Sequence, residues 1–125
     1  MDFRGNREKL KGLLLECGLK EVGTSKAHTP SYLPAGIVSL ANREGIHKTS
    51  RGYAGQKYSF EVHLIEDATD KNGKPIDTDA KLVDLLYTVD TAIQDRLFTE
   101  IDKVEFYDSL LNGKQVRIGK FEIEI

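Results

Sequence analysis

Hydrophobic positions along the chain fall into two helical and several alternating patterns. From Arg4 to Cys17, Leu10, Leu13, Leu14 and the adjoining Leu15 sit among Lys and Glu, the spacing of an amphipathic helix with Asp2 or Asn6 as its N-cap. Gly18 is placed to end that helix in the left-handed conformation that other residues resist. Pro30 and Pro34 forbid a regular helix in the next stretch, so residues 26–36 read as an extended, structured linker. Residues 36–41 then read as a strand, and residues 58–65 as a clear one, with Tyr58, Phe60, Val62 and Leu64 alternating onto one face. The two are expected to pair as a hairpin. Their connection, residues 42–57, is longer than a tight turn needs and holds Gly45, Gly52 and Gly55 among charges, the pattern of a long mobile loop.

A second polar loop, residues 66–77, carries the Asn72-Gly73 turn signal and ends in Asp77-Thr78-Asp79, a group suited to capping a helix. Behind it, Leu82, Leu85, Leu86, Val89, Ile93 and Leu97 step by three and four residues into one apolar stripe. The C-terminal stretch reads as a second hairpin, residues 103–107 and 115–125 joined near Asn112-Gly113. Within it Val116 and Ile118 alternate in one register and Phe121, Ile123 and Ile125 in the other, so a bulge at Gly119 is expected to bring both sets to one buried face. The order helix, two strands, helix, two strands predicts one α+β domain over residues 1–125. Its sheet is mostly antiparallel, of about four to five strands, with two helices packed on one face.

At 125 residues the chain is long enough to bury a core without disulfides or metal, and its one cysteine, Cys17, cannot form an internal disulfide. No apolar run approaches the roughly 18 to 20 residues of a membrane span, and the first residues lack the apolar stretch of a secretion signal. A soluble protein made in the cytoplasm, without membrane partners, is the expectation. The formal net charge of -2 hides a polarity: residues 1–42 sum to +2, 43–57 to +3, 58–110 to -8 and 111–125 to +1. A dipolar molecule of this kind is suited to joining its own copies head to tail.

The residues that carry chemistry are sparse. Cys17 closes an amphipathic helix beside three leucines, the setting of a small buried residue more than of a thiolate. His63 alternates with Val62 and Leu64 and is expected opposite the apolar face, part-exposed or at a subunit contact. The three histidines are scattered, with neither H-x-x-x-H nor C-x-x-C, so no metal is expected. Residues 67–79 imitate a calcium loop, but aligning Gly73 with the required glycine puts Ala68 at the first ligand position. Residues 52–59 contain Gly and Lys without phosphate-loop spacing, so no nucleotide cofactor is implied. Tyr53 and Tyr58 beside the basic segment are suited to stacking on bases, yet the acidic body opposes a polyanion, and no specific nucleic-acid partner is expected.

The layout resembles that of tail-terminator, or tail-completion, minor tail proteins of long-tailed bacteriophages and prophages. The features that carry it are the N-terminal helix, Pro30-Ser31-Tyr32-Leu33-Pro34-Ala35-Gly36-Ile37-Val38-Ser39-Leu40, the strand over 58–65 followed by a long helix from Thr78, and the closing hairpin from Val104 to Ile125. The resemblance implies a non-enzymatic structural subunit without cofactors. Such a subunit assembles as a homo-oligomeric ring, typically a hexamer, on the end of the tail tube, stops tube polymerisation and forms the head–tail joining surface. Its partners would be its own copies, the major tail tube protein and a head–tail connector protein, first in the host bacterial cytoplasm and then in the virion tail. The resemblance also places the 42–57 loop toward the tube or its lumen, with Arg43, His47, Lys48, Arg51, Tyr53 and Lys57 as interface residues; by their charge, Asp84, Asp90 and Asp95 are suited either to meeting a neighbour's basic loop or to solvating the helix face. Two alternatives stand beside it: a head–tail connector or head-completion subunit, and a small monomeric adaptor that binds an acidic protein or nucleic acid through the basic loop. An enzyme would have to use carboxylates or His63 in a pocket.

Overall fold

The computed structural model describes residues 3–41, 58–101 and 103–125. Helix α1 (Phe3–Glu16) buries Leu10, Leu13 and Leu14, as their spacing requires. It ends at Gly18, whose φ of 104° is open to glycine at little cost. Asn6 is not the N-cap. It is buried inside the first turns of the helix, while Asp2 lies outside the described residues.

The chain then forms β1 (Glu21–Gly23), a segment over residues 24–34, β2 (Ala35–Leu40) and β3 (Ser59–Asp67). Helix α2 (Thr78–Leu97) and the hairpin of β4 (Val104–Leu111) and β5 (Lys114–Glu124) complete it. The sheet order is β1-β2-β3-β5-β4. β2, β3, β5 and β4 pair antiparallel, whereas β1 pairs parallel to β2, so the sheet is mixed, though mostly antiparallel. β1 is the element that periodicity did not reveal, since three residues are too few to show an alternation.

Both helices lie on one sheet face, α1 over β1 and β2 and α2 over β3 and β5. Their stripes meet Val38, Phe60, Val62, Leu64, Phe121 and Ile123 in the main core. Asp77 caps α2 by accepting a hydrogen bond from the Ala80 amide at 3.2 Å. Arg117 ties the start of α2 to the sheet, its guanidinium donating to Asp79 at 2.6 Å and to Asp108 at 2.8 Å. Asn112 and Gly113 both have positive φ, 53° and 77°, the backbone of a two-residue hairpin turn whose twist suits its strands.

The expected bulge at Gly119 is absent. β5 pairs without interruption, from Ser59↔Glu124 to Asp67↔Val116 on one side and from Val104↔Phe121 to Leu111↔Lys114 on the other. Phe121 and Ile123 therefore face the helices, and Val116 and Ile118 face the opposite side with Ile37 and Ile65 in a second apolar cluster. The two registers of β5 reflect two covers, one for each face of the sheet. The second cover is the 24–34 segment, which brings Leu33 onto that cluster.

Candidate functional site

The face opposite the helices presents Ile37 and Ser39 from β2, Glu61, His63 and Ile65 from β3, Ile118 and Lys120 from β5, and Tyr107 and Leu111 from β4. The 24–34 segment folds back across it as a strap. Glu21 holds the strap from below: its carboxylate pairs with the His28 ring and accepts from the Ser31 amide at 3.2 Å. The His28 bond holds the Glu21 carboxyl below its ordinary value. Gly23 is needed underneath, because a Cβ there would lie 2.4 Å from the His28 ring. The strap's outer end is fixed by Lys26, whose ammonium lies 2.9 Å from Glu61.

Between strap and sheet lies a cavity of about 330 Å³, with Ile37, Ile65, Ile118 and Leu111 as its apolar surface and Glu61, His63, Lys26 and Tyr107 as its polar one. Glu61 is the centre of the polar part. Its side chain is 6% exposed, with Lys26 at 2.9 Å, Lys120 at 3.3 Å and His63 at 3.5 Å. Burial pushes its carboxyl up, but the two ammonium groups outweigh burial and hold it below the ordinary value. Burial pushes His63 down, and Lys120 and Lys26 reinforce this against the pull of Glu61, so the ring favours its neutral form. Tyr107, edge-on to His63 at 6.5 Å between ring centroids, is pushed up by burial and keeps its phenolic proton. The Nδ1 of His63 and the hydroxyl of Ser39 are buried and have no hydrogen-bond partner among the described residues.

The pattern sets a pH dependence of stability. As pH falls below 6.5, the ordinary histidine value, the unfolded chain gains a proton at residue 63 that the folded protein resists, so stability declines until the lower folded value is passed. Glu61 acts with the same sign below its ordinary 4.5, because its folded carboxyl also stays ionised longer than the unfolded one. Thermal melts of the native protein and His63→Gln should therefore diverge, with the native protein losing more stability between about pH 7 and about pH 5. Parallel curves contradict this account of His63.

As expected, His63 lies on the face opposite the main core, but the strap and Tyr107 leave only 15% of its side chain exposed. Cys17 packs against the main core, and burial raises its thiol. Asp84 and Asp95 are exposed on α2. Asp90 turns inward, accepting from Gln94 Nε2 at 2.9 Å and from the Ile101 amide at 3.3 Å, so it also organises the exit from the helix. Arg43, His47, Lys48, Arg51, Tyr53 and Lys57 lie outside the described residues. Lys26, Glu61, Tyr107 and Lys120 had not been singled out. Glu61 and Lys120 carry a local signal, an ionisable side chain at an alternate position of β3 and of β5 facing away from the main core, whereas Lys26 of the strap and Tyr107 of β4 join the site only through the tertiary fold.

A second surface stands at the β4 edge. Val83 and Tyr87, one turn apart on α2, are 55% and 78% exposed and border a shallow groove with Leu86, Ile101 and Val104, and Phe106 and Leu110 continue the apolar surface along β4. Phe98 closes α2 and is 90% exposed. This end of the molecule is net acidic: α2 carries Asp79, Asp84, Asp90 and Asp95 against Lys81 and Arg96, and β4 adds Glu105 and Asp108, although Arg117 of β5 pairs with Asp79 and Asp108 and Lys120 stands beside Glu105. At the β1 end, Arg4, Arg7, Lys9, Lys11, Lys20 and Lys26 outnumber Glu8, Glu16 and Glu21. Charge is thus separated along the sheet, while exposed apolar side chains stand at both ends, with Leu15, Tyr32 and Leu40 at the basic one. No family model matches the chain, and no curated protein matches it either.

Proposed function

We propose that the chain is a structural subunit that joins copies of itself head to tail into a closed ring, of the kind that caps a bacteriophage tail tube. The observation that carries this reading is the placing of an exposed apolar surface, Val83, Tyr87, Phe106 and Leu110, at the acidic end of a sheet whose other end is basic. Opposite charges at opposite ends favour a contact between two different surfaces and disfavour a two-fold one, which would set like charges together. Repeated contacts of that type close into rings when the rotation allows. The β4 edge adds main-chain groups that pair with no strand among the described residues, a template for a neighbour's backbone. The resemblance in layout to tail-terminator proteins supplies the setting: the end of a tail tube, with the tube protein on one side and the head connector on the other.

Attraction between exposed ends is screened by salt over about 8–10 Å at ordinary ionic strength. Sedimentation velocity over a concentration series should show oligomers at about 0.05 M salt that dissociate at higher protein concentrations when salt is raised to about 0.5 M. Assembly that is indifferent to salt would remove the electrostatic argument, and a monomer at every concentration, both alone and with the major tail tube protein, would count against the ring.

A further inference from the structure

The chain holds two Asn-Gly steps, Asn72-Gly73 and Asn112-Gly113, both exposed and both at turns where the glycine has a φ of 77°. An asparagine side-chain amide is open to attack by the main-chain nitrogen of the next residue, and glycine, with no side chain, shields that nitrogen least. The attack needs a nitrogen that is not engaged elsewhere and a peptide plane that can turn toward the side chain.

On both counts the two steps differ. The loop around Asn72 is stitched to Asp70. The Gly73 amide donates to the Asp70 carbonyl at 3.0 Å, the Asn72 and Lys74 amides donate to the Asp70 carboxylate at 2.8 and 2.9 Å, and the Asp70 amide donates to the Lys74 carbonyl at 2.8 Å. Turning the peptide between residues 72 and 73 breaks at least the first of these bonds. At the tip of the β4–β5 hairpin, the Gly113 amide donates to no group among the described residues, so its nitrogen turns without giving up a hydrogen bond.

We propose that Asn112 is a site of spontaneous deamidation and that the fold spares Asn72. The Gly113 nitrogen, losing its proton, bonds to Cγ of Asn112, the Cγ–Nδ2 bond breaks, and ammonia leaves from a cyclic imide. Water then opens the ring at either carbonyl, so one water is taken up for each ammonia released and no atom is oxidised or reduced. Opening at Cγ leaves aspartate; opening at the main-chain carbonyl leaves isoaspartate, whose backbone runs through Cβ. Either product sets a carboxylate next to Lys114, which already pairs with Asp67 at 2.6 Å. Isoaspartate also lengthens a turn whose two-residue span fixes the pairing of Leu111 with Lys114. Because Leu111 packs on the second apolar cluster, the loosening reaches the strap side of the sheet.

The test incubates the full chain in mildly alkaline buffer, with and without denaturing urea. Proteolysis and mass spectrometry read each Asn-Gly step, and isoaspartate-specific enzymatic methylation separates the two products. In the folded protein Asn112 should convert at least about fivefold faster than Asn72, the factor that one net hydrogen bond supplies. In urea the two rates should converge, because the reacting pair is the same. Isoaspartate-enriched protein should exchange the Leu111 amide faster than fresh protein does. Equal rates at the two steps in the folded chain, or conversion of neither while both react in urea, overturns the proposed site. Unaltered exchange at Leu111 overturns the loosening.

Discussion

Phe60→Ala should lower stability by about 3–5 kcal/mol, the range for emptying a large aromatic site in a core. Phe60 is fully buried in β3, and its ring stacks on Phe3 of α1 with centroids 5.4 Å apart. The substitution therefore opens a cavity and removes a fastening between the first helix and the sheet. A domain of this size is stable by about 5–15 kcal/mol, so much of the margin would be lost. Urea denaturation checks it: the midpoint should fall steeply with little change in slope. A loss below about 1 kcal/mol would mean that the α1 end contributes little to the cooperative core.

Val83→Lys together with Tyr87→Lys should weaken self-association by about a thousandfold while leaving the monomer's stability within about 0.5 kcal/mol. The two side chains lie on one exposed stripe of α2 beside the β4 groove, so their replacement leaves the core intact. On the assembled ring the same change removes two apolar anchors and sets two positive charges against the basic end of the next copy. Each effect disfavours the contact, and the second is a repulsion that the native surface lacks. Light scattering over a concentration series reads the association, and thermal denaturation reads the fold. Unchanged association would move the interface away from the α2–β4 surface. A large loss of stability would mean that Val83 and Tyr87 act within the fold.

The helices and the antiparallel strands were legible because their signals are local. Leu82, Leu86, Val89 and Ile93 recur at helical spacing, Phe60, Val62 and Leu64 at strand spacing, and Asn112-Gly113 needs only its own positive φ values to make a turn. Two features escaped because they depend on distant residues. β1 is three residues long and is held by its parallel pairing with β2. The change of register in β5 seemed to require a bulge at Gly119 only while one face of the sheet was taken as covered. Once the strap covers the other face, Val116 and Ile118 are buried in a straight strand. The cavity was illegible for the same reason. Its groups come from the strap and four strands, and local alternation marks only Glu61 and His63 among its polar lining. The basic loop expected to make contacts lies outside the described residues, whereas Asp84 and Asp90 lie on the helix of the acidic end.

The most direct measurement of the central claim is native mass spectrometry of the full chain over a concentration series, alone and with the major tail tube protein from the same source. The account predicts a closed ring of a single subunit number, formed alone or on addition of the tube protein, and a complex that contains both. A monomer under every condition, with no tube-protein complex, would contradict it.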